Sequence, residues 1–458
     1  MRGFFHKTPT MYKMTMKESF GERLWRHRGI LFLIAVPLVL IGLILAGMPR
    51  AQQAFQFGSE QGTKYAVVID AGSTGSRVHI FTFSTGSGML ELETDNFQQL
   101  KPGLSSYAES PKSAAESLKP LLDKALETVP ANQQPHTSVE VRATAGLRLL
   151  PEGQADGILE AVRRYLKENY PFKCSRDSVS ILDGADEGAF AWLTLNYLLG
   201  HLGGDVSNTV AAIDMGGGSV QMAYAVDRST ASKAPSKDYI YKLKGGGKVY
   251  NVYVKSQLGY GIMAGRAAVL EKAQDDGHYC LPHGFSGTYS YGGKELTAKH
   301  HAAGSSFDSC ADVVTSALKV DEPCGKQGMC SFNGAWGGGL GHGADKVYVS
   351  SYLFDRGVDS GIVRDPEAIR WDATPAQYKE AAAEVCSLDE EAVKRKYPNV
   401  SPEHAPYLCM DLSYCYSVLV RGFKIKETAP VTMIKQIQYK GENLEAQWPL
   451  GAAINSLS

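Results

Sequence analysis

Apolar positions divide the chain into one long apolar run near the N-terminus and a region of shorter alternating patterns. Beyond residue 62, short apolar runs typical of strands occupy 65–70, 78–83, 138–142, 209–214 and 220–225. Patterns typical of amphipathic helices lie among them, at 113–128, 157–168 and 187–199. Because strand-like and helix-like patterns alternate, the sequence predicts an α/β fold class.

The long apolar run covers residues 29–48, twenty positions without a charged side chain. A helix of that length spans about 30 Å, the thickness of the hydrocarbon core of a bilayer. Seven basic and two acidic residues precede the run, whereas only three charged residues occupy 49–64, so the N-terminus is expected to be cytosolic. We therefore expect a single-pass type II membrane protein with a cytosolic tail (1–28), a transmembrane signal anchor (29–48) and a stem (49–61). The alternative is a cleaved signal peptide, for which both the leader and the apolar core are long.

Composition excludes several classes of protein. The 47 Lys+Arg and 48 Asp+Glu give a formal charge of −1, so the chain lacks the concentrated positive charge of a nucleic-acid-binding protein. A hydrophobic fraction of 44% excludes a globally disordered chain. A length of 458 residues is typical of two or three domains with their own cores.

All eight cysteines follow the apolar run. An even number on the luminal or extracellular side predicts structural disulfide bonds, although the connectivity stays open. Cys324 and Cys330 form the local loop that closes most easily, and no cysteine spacing is typical of a zinc site. The glycosylation sequon at Asn399 is weak evidence for the same side of the membrane.

One motif occurs twice, as DAGSTGSR at 70–77 and as DMGGGSVQ at 214–221. Each copy has an apolar strand that ends in an Asp, then a glycine-rich loop, then a second strand. Such a loop can surround an anion with backbone N–H groups, and a hydrated divalent cation would stabilise a buried Asp. One loop alone is more simply a hairpin turn, and neither copy has the order of a P-loop or a dinucleotide fingerprint. Two copies predict two related lobes that face each other across a cleft.

This arrangement resembles the actin, hexokinase and sugar-kinase superfamily, and it is more similar to the apyrase family, the nucleoside triphosphate diphosphohydrolases, in its plant-type and endomembrane forms. Five segments match that family in order: DAGSTGSR (70–77), RATAGLR (142–148), DGADEGAFAWLTLNYLLG (183–200), DMGGGSVQ (214–221) and WPLGAA (448–453). The resemblance implies two lobes of actin-like, ribonuclease H-like topology, lobe I at 62–184 plus 433–458 and lobe II at 185–432. It also implies metal-dependent hydrolysis of the terminal phosphates of nucleoside di- and triphosphates.

The resemblance further assigns roles to matching residues. Glu187 would be the general base that takes a proton from the attacking water, although a Glu in a first helical turn is often only a structural feature. The residues that would help it fix that water are Ser219, Gln221 and Thr144. The phosphate-binding residues would be Ser73, Thr74, Gly75, Gly216, Gly217 and Gly218. Ca²⁺ or Mg²⁺ would be held through water by Asp70 and Asp214. A nucleobase would stack on Tyr352 or Phe354, for which packing in the core is the alternative.

Gly75 stands where several cell-surface members of that family have His. The Gly form is more similar to endomembrane members, which often favour diphosphates such as UDP and GDP, so a Golgi membrane is expected rather than the plasma membrane. Two other functions stay open. A non-enzymatic nucleotide sensor or scaffold of the same fold would not need Glu187, Ser219 and Gln221 together, and an exopolyphosphatase or a kinase would share the two hairpins.

Overall fold

The computed structural model describes Trp25 and residues 62–457, except 73–74, 87–89, 152, 273–275 and 326–328. The predicted transmembrane helix and stem lie outside the described residues, as does the predicted cytosolic tail apart from Trp25. Ser73 and Thr74 of the first glycine loop are outside them too. In the part of the chain that is described, no helix has both the length and the apolar character needed to cross a membrane. Gly62–Ser458 forms one compact unit, and all that follows concerns that unit.

A five-stranded sheet forms the first lobe. Its strands are β1 (Thr63–Ala71), β2 (Ser76–Ser84), β3 (Glu91–Leu100), β4 (Ser138–Ala143) and β5 (Val179–Ile181). Their order is β3-β2-β1-β4-β5, in which β1, β2 and β3 are antiparallel and β4 and β5 continue parallel to β1. The helices of this lobe are α1 (Pro111–Ser117), α2 (Lys119–Thr128), α3 (Ala145–Arg148) and α4 (Gln154–Asn169).

A seven-stranded sheet forms the second lobe. Its strands are β6 (Ala211–Met215), β7 (Ser219–Val226), β8 (Ile240–Gly245), β9 (Lys248–Leu258), β12 (Val347–Ser351), β13 (Arg370–Ala373) and β14 (Val431–Ile434). Two hairpins lie outside it, β10 (Ser286–Tyr291) with β11 (Lys294–Lys299) and β15 (Gln436–Tyr439) with β16 (Glu442–Glu445). The remaining helices are α5 (Gly184–Leu198), α6 (Arg228–Ser232), α7 (Ile262–Leu270), α8 (Phe307–Leu318), α9 (Tyr352–Asp359), α10 (Pro375–Cys386), α11 (Glu390–Lys396), α12 (Leu408–Ser417) and α13 (Trp448–Leu457).

Both sheets contain the same five-strand unit. In the second sheet, β6, β7 and β9 are antiparallel while β12 and β14 continue parallel to β6, in the order β14-β12-β6-β7-β9. The strands β13 and β8 extend this unit at its two edges. The repeat that was visible in the sequence at two loops therefore extends to a whole sheet, and the predicted two-lobed α/β fold is confirmed.

Helices α5 and α13 lie between the two sheets. Trp192 of α5 and Trp448 of α13 share one core with Phe81 of the first sheet and Val254 of the second. Because both of its sides are covered, α5 is apolar around most of its circumference. Gly451 allows α13 to approach α5 closely, since a Cβ at that position would lie 2.1 Å from a backbone carbonyl of α5. The tail of the chain thereby returns to the centre of the molecule.

Predicted elements agree with the structure except at some boundaries. All five predicted strands are present, and the predicted helices at 157–168 and 187–199 correspond to α4 and α5. The pattern at 113–128 is two helices that break at Leu118, because Pro120 lacks an N–H and its ring excludes the carbonyl four residues earlier. Strand β14 ends at Ile434, so two residues of the second sheet, Met433 and Ile434, lie beyond the predicted end of lobe II at 432. The lobe boundaries themselves stay a prediction.

Three disulfide bonds cross-link the second lobe: Cys280–Cys310, Cys324–Cys330 and Cys386–Cys409. The predicted local pair Cys324–Cys330 is among them. The prediction of structural disulfide bonds is confirmed, while Cys174 and Cys415 are free thiols. Cys174 packs beside the core of the first lobe and Cys415 is buried in that of the second, so the two cannot meet.

Candidate active site

A cleft of about 300 Å³ lies where the two glycine hairpins meet. The predicted site residues that line it are Asp70, Thr144, Glu187, Asp214, Gly216, Gly217, Gly218, Ser219, Tyr352 and Phe354. Gln221 lies behind Ser219, to which its side-chain amide donates a hydrogen bond of 2.8 Å. The two repeated loops, far apart along the chain, thus open into one cavity.

In the first hairpin, the ladder between β1 and β2 places Arg77 opposite Asp70. The Arg77 guanidinium Nη1 lies 3.5 Å from Asp70 Oδ2, while Asp70 Oδ1 is buried without a hydrogen-bond partner among the described residues. Burial raises the pKa of Asp70 to about 6, although the positive charge of Arg77 opposes that rise. This carboxylate therefore lacks part of the stabilisation that a buried negative charge requires.

Gly75 closes the same loop where it approaches the end of β3. A Cβ at this position would lie 2.7 Å from the backbone carbonyl oxygen of Leu100. Only glycine fits there without movement of the backbone. This is a local steric reason for Gly75, the position where several cell-surface members of the apyrase family have His.

In the second hairpin, Asp214 pairs across the ladder with Gln221. The hydroxyls of Ser350 and Ser351, from the neighbouring parallel strand, both donate to Asp214 Oδ1, at 2.9 and 2.6 Å. Burial raises the pKa of Asp214, and these two hydroxyls counteract the rise. Ser351 has φ 59° and ψ −128°, a strained backbone for a non-glycine residue. The fold therefore maintains a costly conformation next to this carboxylate.

The second glycine loop, 216–218, is fixed through its carbonyl groups. They accept backbone hydrogen bonds of 2.8–3.0 Å from the amides of residues 259 and 262–264, which include the first turn of α7. Within the described residues, the N–H groups of Gly217 and Gly218 have no such acceptor. The loop also contacts the first lobe, because a Cβ on Gly218 would lie 2.8 Å from Ala145. Free amides at the wall of a cleft between two lobes are suited to binding an anion.

Glu187 lies in the first turn of α5, which Asp183 caps by accepting the Ala185 N–H at 2.8 Å. The Arg148 guanidinium donates a hydrogen bond to Glu187 Oε2, and the Gln221 side-chain amide donates to the same oxygen at 3.2 Å. The Glu187 side chain is 12% exposed. Burial raises its pKa to about 8, against the opposing charge of Arg148. One carboxylate at the junction of the lobes is thus held from both sides.

Arg148 is a site residue that the sequence analysis missed. Thr144, 7% exposed, directly follows β4, and its carbonyl accepts the N–H groups of Leu147 and Arg148 at the start of the short helix α3. This turn sends the Arg148 side chain to Glu187. The only signal in the sequence was its place as the last residue of the RATAGLR segment.

Other cleft-lining residues were also missed, namely Arg77, Ser350, Ser351, Asp355, Lys435 and Glu445. Glu445 Oε2 lies 3.9 Å from Nε2 of the buried His79, whose Nδ1 is 2.9 Å from Asp95. Arg77 ends the first motif and Glu445 shortly precedes the fifth, which are weak local signals. The others stand in no segment that suggested chemistry, apart from the neighbourhood of Tyr352.

The two aromatic candidates differ in accessibility. Tyr352, the first residue of α9, is half-buried and lines the cleft, and the Arg356 guanidinium lies 5.5 Å from its ring centroid. Phe354 is 2% exposed and belongs to the core of the second lobe. A nucleobase could reach the ring of Tyr352 more easily than that of Phe354.

Comparison with known proteins agrees with this geometry. Residues 57–458 match the model of the GDA1/CD39 (nucleoside phosphatase) family. The chain is 42% identical over 455 residues to "Probable apyrase 2" of Oryza sativa subsp. japonica, covering 96% of this chain and 97% of that protein. It is 42% identical over 439 residues to "Apyrase" of Solanum tuberosum, covering 94% and 96%. Among solved structures, that of nucleoside triphosphate hydrolases from Neospora caninum is similar in fold, with a TM-score of 0.62 at 16% identity over 91% of this chain and 96% of that one. The chain therefore belongs to the GDA1/CD39 family of nucleoside phosphatases.

Proposed function

We propose that this protein hydrolyses the terminal phosphates of nucleoside di- and triphosphates by direct attack of a water molecule that Glu187 activates. The observation that supports this most is the position of Glu187. Its carboxylate lies between the two glycine loops and is held by Arg148 of the first lobe and Gln221 of the second. A sensor that only bound nucleotides would have no need for this arrangement.

Glu187 has the environment of a general base. The side-chain hydrogen bonds that the described residues donate to Glu187 both end on Oε2, so Oε1 is the atom that would take the proton from water. A pKa of about 8 makes the carboxylate a stronger base than an exposed Glu, while Arg148 favours the ionised form that the reaction requires. A base of this kind contributes about 10²–10⁴-fold to the rate.

Ser219 and Gln221 would orient the attacking water. The Gln221 amide donates to Ser219 Oγ at 2.8 Å, which leaves the Ser219 hydroxyl proton for a further acceptor in the cleft. The same amide donates to Ser256 at 3.2 Å, so its position is fixed from behind. Thr144, on the opposite wall, would complete the set of hydroxyl groups around the water.

The two loops would bind the phosphate chain at its two ends. Loop 216–218 offers free amides, and Arg77 adds a positive charge on the other side. Ser73, Thr74 and Gly75 would bind the phosphates from the first loop. Fixed donors placed where charge develops do most of the work in phosphoryl transfer, which needs little covalent chemistry from the protein.

Asp70 and Asp214 fit a divalent cation held through water. Among the described residues, no three Asp, Glu, His or Cys side chains are arranged to coordinate a metal directly. Among the described residues, the buried Oδ1 of Asp70 has no hydrogen-bond partner, and burial raises the pKa of both carboxyls. Both properties are expected of carboxylates that a bound cation would stabilise. Bound Ca²⁺ or Mg²⁺ would neutralise charge on the phosphate oxygens.

Substrate preference and location complete the proposal. Tyr352 is the residue that would stack on the nucleobase, and glycine at position 75 supports a preference for diphosphates. Three disulfide bonds support folding in an oxidising compartment, consistent with a signal anchor at 29–48 and a luminal domain in the Golgi. The two lobes would be 62–184 with the returning tail, and 185 to the end of β14.

The test is to compare Glu187→Gln with Asp186→Asn, a substitution of the adjacent acid, which does not line the cleft. We expect Glu187→Gln to lower phosphate release from a nucleoside diphosphate about 10²–10⁴-fold while nucleotide binding persists. Asp186→Asn should stay close to wild type. A panel of UDP, GDP, ADP, UTP and ATP with Ca²⁺ or Mg²⁺ would establish the preference. A wild-type protein that bound nucleotide and released no phosphate would instead be a sensor.

A further inference from the structure

Three charged side chains are buried together within the second lobe and none of them lines the cleft. Asp411 of α12 is 0% exposed, and Arg266 of α7 and Arg356 of α9 are 2% exposed. The Arg266 guanidinium binds Asp411 through two hydrogen bonds, Nε to Oδ1 at 2.7 Å and Nη2 to Oδ2 at 2.5 Å. Arg356 Nε lies 3.2 Å from the same Oδ2. One carboxylate therefore connects two helices through two arginines.

The cluster is balanced and closely packed. Arg356 also binds Asp359 on its own helix, so two buried positive charges face two negative ones. The Arg266 guanidinium lies 4.8 Å from the ring centroid of Tyr407. Buried ion pairs of this kind contribute little net stability compared with apolar packing, but removal of one partner is costly. Their presence calls for an explanation other than stability.

Helix α7, at the Arg266 side, holds the second phosphate loop. The amides of residues 262–264 donate to the carbonyls of Gly216 and Gly217, each at 3.0 Å. Helix α12 fixes α7 from behind, because a Cβ on Gly265 would lie 2.4 Å from the ring of Tyr414. Any shift of α7 would therefore move the loop that lines the cleft.

Helix α9, at the Arg356 side, contributes another part of the cleft lining. Tyr352 is its first residue, and Ser351, which binds Asp214, immediately precedes it. Arg266 and Arg356 are each the fifth residue of their helices, about 6 Å along the axis from the end that faces the cleft. Asp411 thus contacts α7 and α9 at the same distance from the ends of these helices that face the cleft.

We propose that Asp411 is a positioning residue, which sets the position of the phosphate loop 216–218 relative to Ser351 and Tyr352 at the start of α9. This inference rests on the proposed function, since it assigns a consequence for the same site. A displacement of about 1 Å is enough to cost about 100-fold in rate when two groups must hold one substrate. The carboxylate acts through Arg266 and Arg356 and touches no substrate.

The experiment measures kcat and KM for a nucleoside diphosphate with Mg²⁺, using the full chain and its Asp411→Asn, Arg266→Lys and Arg356→Lys variants. We expect Asp411→Asn to lower kcat/KM about 10- to 100-fold at a temperature where circular dichroism shows a native fold. Arg266→Lys should act mainly on kcat through the loop, and Arg356→Lys mainly on KM and on the half-saturating Mg²⁺ concentration. The double variant Arg266→Lys/Asp411→Asn should lose no more than Asp411→Asn alone, because one carboxylate carries both connections.

The matched control is Leu318→Ala, which removes a fully buried side chain of α8, a helix that carries no cleft residue. It should lower the melting temperature and leave kcat and KM unchanged. Equal losses of activity in Leu318→Ala and Asp411→Asn at matched stability would overturn the proposal. So would a folded Asp411→Asn with wild-type kinetics.

Should Asp411→Asn fail to fold, the two Arg→Lys variants decide, and wild-type kinetics in both would overturn the proposal. A wild-type protein that released no phosphate would contradict the proposed function instead. The positioning role would then be tested by comparing the nucleotide affinity of the Asp411→Asn variant with that of the wild type.

Discussion

The two glycine hairpins share one backbone plan and differ in the side chain that faces the aspartate. In each hairpin the aspartate pairs with the residue seven positions later, Asp70 with Arg77 and Asp214 with Gln221. The first pair combines a carboxylate with a positive charge. The second places a neutral amide, which also contacts Glu187, beside the carboxylate. The residue paired with the aspartate, Arg77 in one hairpin and Gln221 in the other, thus gives the two aspartates different chemical environments.

The parallel strand next to each hairpin extends this difference. Asp70 lies beside Arg142 on β4, whose guanidinium is bound to Glu140, so Asp70 Oδ1 is left without a partner among the described residues. Asp214 lies beside Ser350 on β12, which donates to it together with the following serine. We infer that both loops bind phosphate, whereas at the paired position the first hairpin adds a positive charge and the second adds the amide that orients water.

The largest expected effect comes from removing the residue at the differing position. Gln221→Ala deletes the amide that holds Glu187 and Ser219, so kcat should fall about 10²–10³-fold with little change in KM. Arg77→Ala should instead raise the KM for a nucleoside diphosphate about tenfold, because a charge-assisted contact to phosphate is lost. Steady-state kinetics would distinguish the two. Ser256→Ala removes only the third side-chain partner of the Gln221 amide, so it is the control and should have a small effect.

A smaller effect is expected when each aspartate is made neutral. Asp70→Asn and Asp214→Asn should each raise the half-saturating Mg²⁺ or Ca²⁺ concentration about 10–100-fold, the usual cost of losing an outer partner of a metal site. The half-saturating metal concentration of the double variant should be little higher than that of the single variant that binds metal more weakly. The reason is that both carboxylates would hold one cation. Additive losses in a metal titration would show that the two hairpins bind separate ions.

Comparison of the hairpins also shows what the sequence could predict. Asp70 and Asp214 were found because each motif is a continuous segment in which the chemistry depends on neighbouring residues. Arg148 was missed because it meets Glu187 across 39 positions, and Ser351 because it meets Asp214 across 137. Such contacts depend on which strands become neighbours in the sheet, and no local pattern encodes that choice.

The fold was predicted for the same physical reason. Strand and helix periodicities are local, so the α/β class and five strands were correct, and the break at Leu118 could have been expected from Pro120. The five-strand order shared by both sheets, with the added edge strands β8 and β13, follows from long-range pairing. The cysteine count correctly indicated disulfide bonds, whereas the free thiols Cys174 and Cys415 depend on long-range packing that places them in different cores.

A third prediction concerns pH and separates the buried carboxyls. Burial raises the pKa of Glu187 from 4.5 to about 8 and that of Asp70 from 3.8 to about 6. Between the unfolded and folded values the native state binds more protons, so without metal the free energy of unfolding should fall as pH rises. The fall should extend to about pH 8 because of Glu187, by at most about 1.4 kcal/mol for each unit of pKa shift. Urea unfolding in EDTA from pH 5 to 8 would measure it.

Glu187→Gln is the matched variant for this measurement, since a neutral amide does not titrate. Its free energy of unfolding should fall less than that of the wild type between about pH 7 and 8, where Asp70 is mostly ionised and Glu187 is not. Parallel pH profiles for the two proteins would contradict the assignment of the raised pKa to Glu187. Added Mg²⁺ should flatten the wild-type profile, because a cation favours the ionised carboxylates.

The smallest expected effect concerns the space that each loop leaves for a methyl group. A Cβ on Gly75 would lie 2.7 Å from the Leu100 carbonyl oxygen, and one on Gly218 would lie 2.8 Å from Ala145, whereas on Gly216 the nearest atom would be 3.5 Å away. Gly75→Ala and Gly218→Ala should therefore lower the free energy of unfolding by about 1–3 kcal/mol, and Gly216→Ala should be nearly neutral. Urea unfolding gives the three values. Because Gly75 meets backbone of its own lobe and Gly218 meets the other lobe, only Gly218→Ala should also change the KM for nucleotide. An equal change in KM from Gly75→Ala would mean that both loops, and not the second alone, set the distance between the lobes.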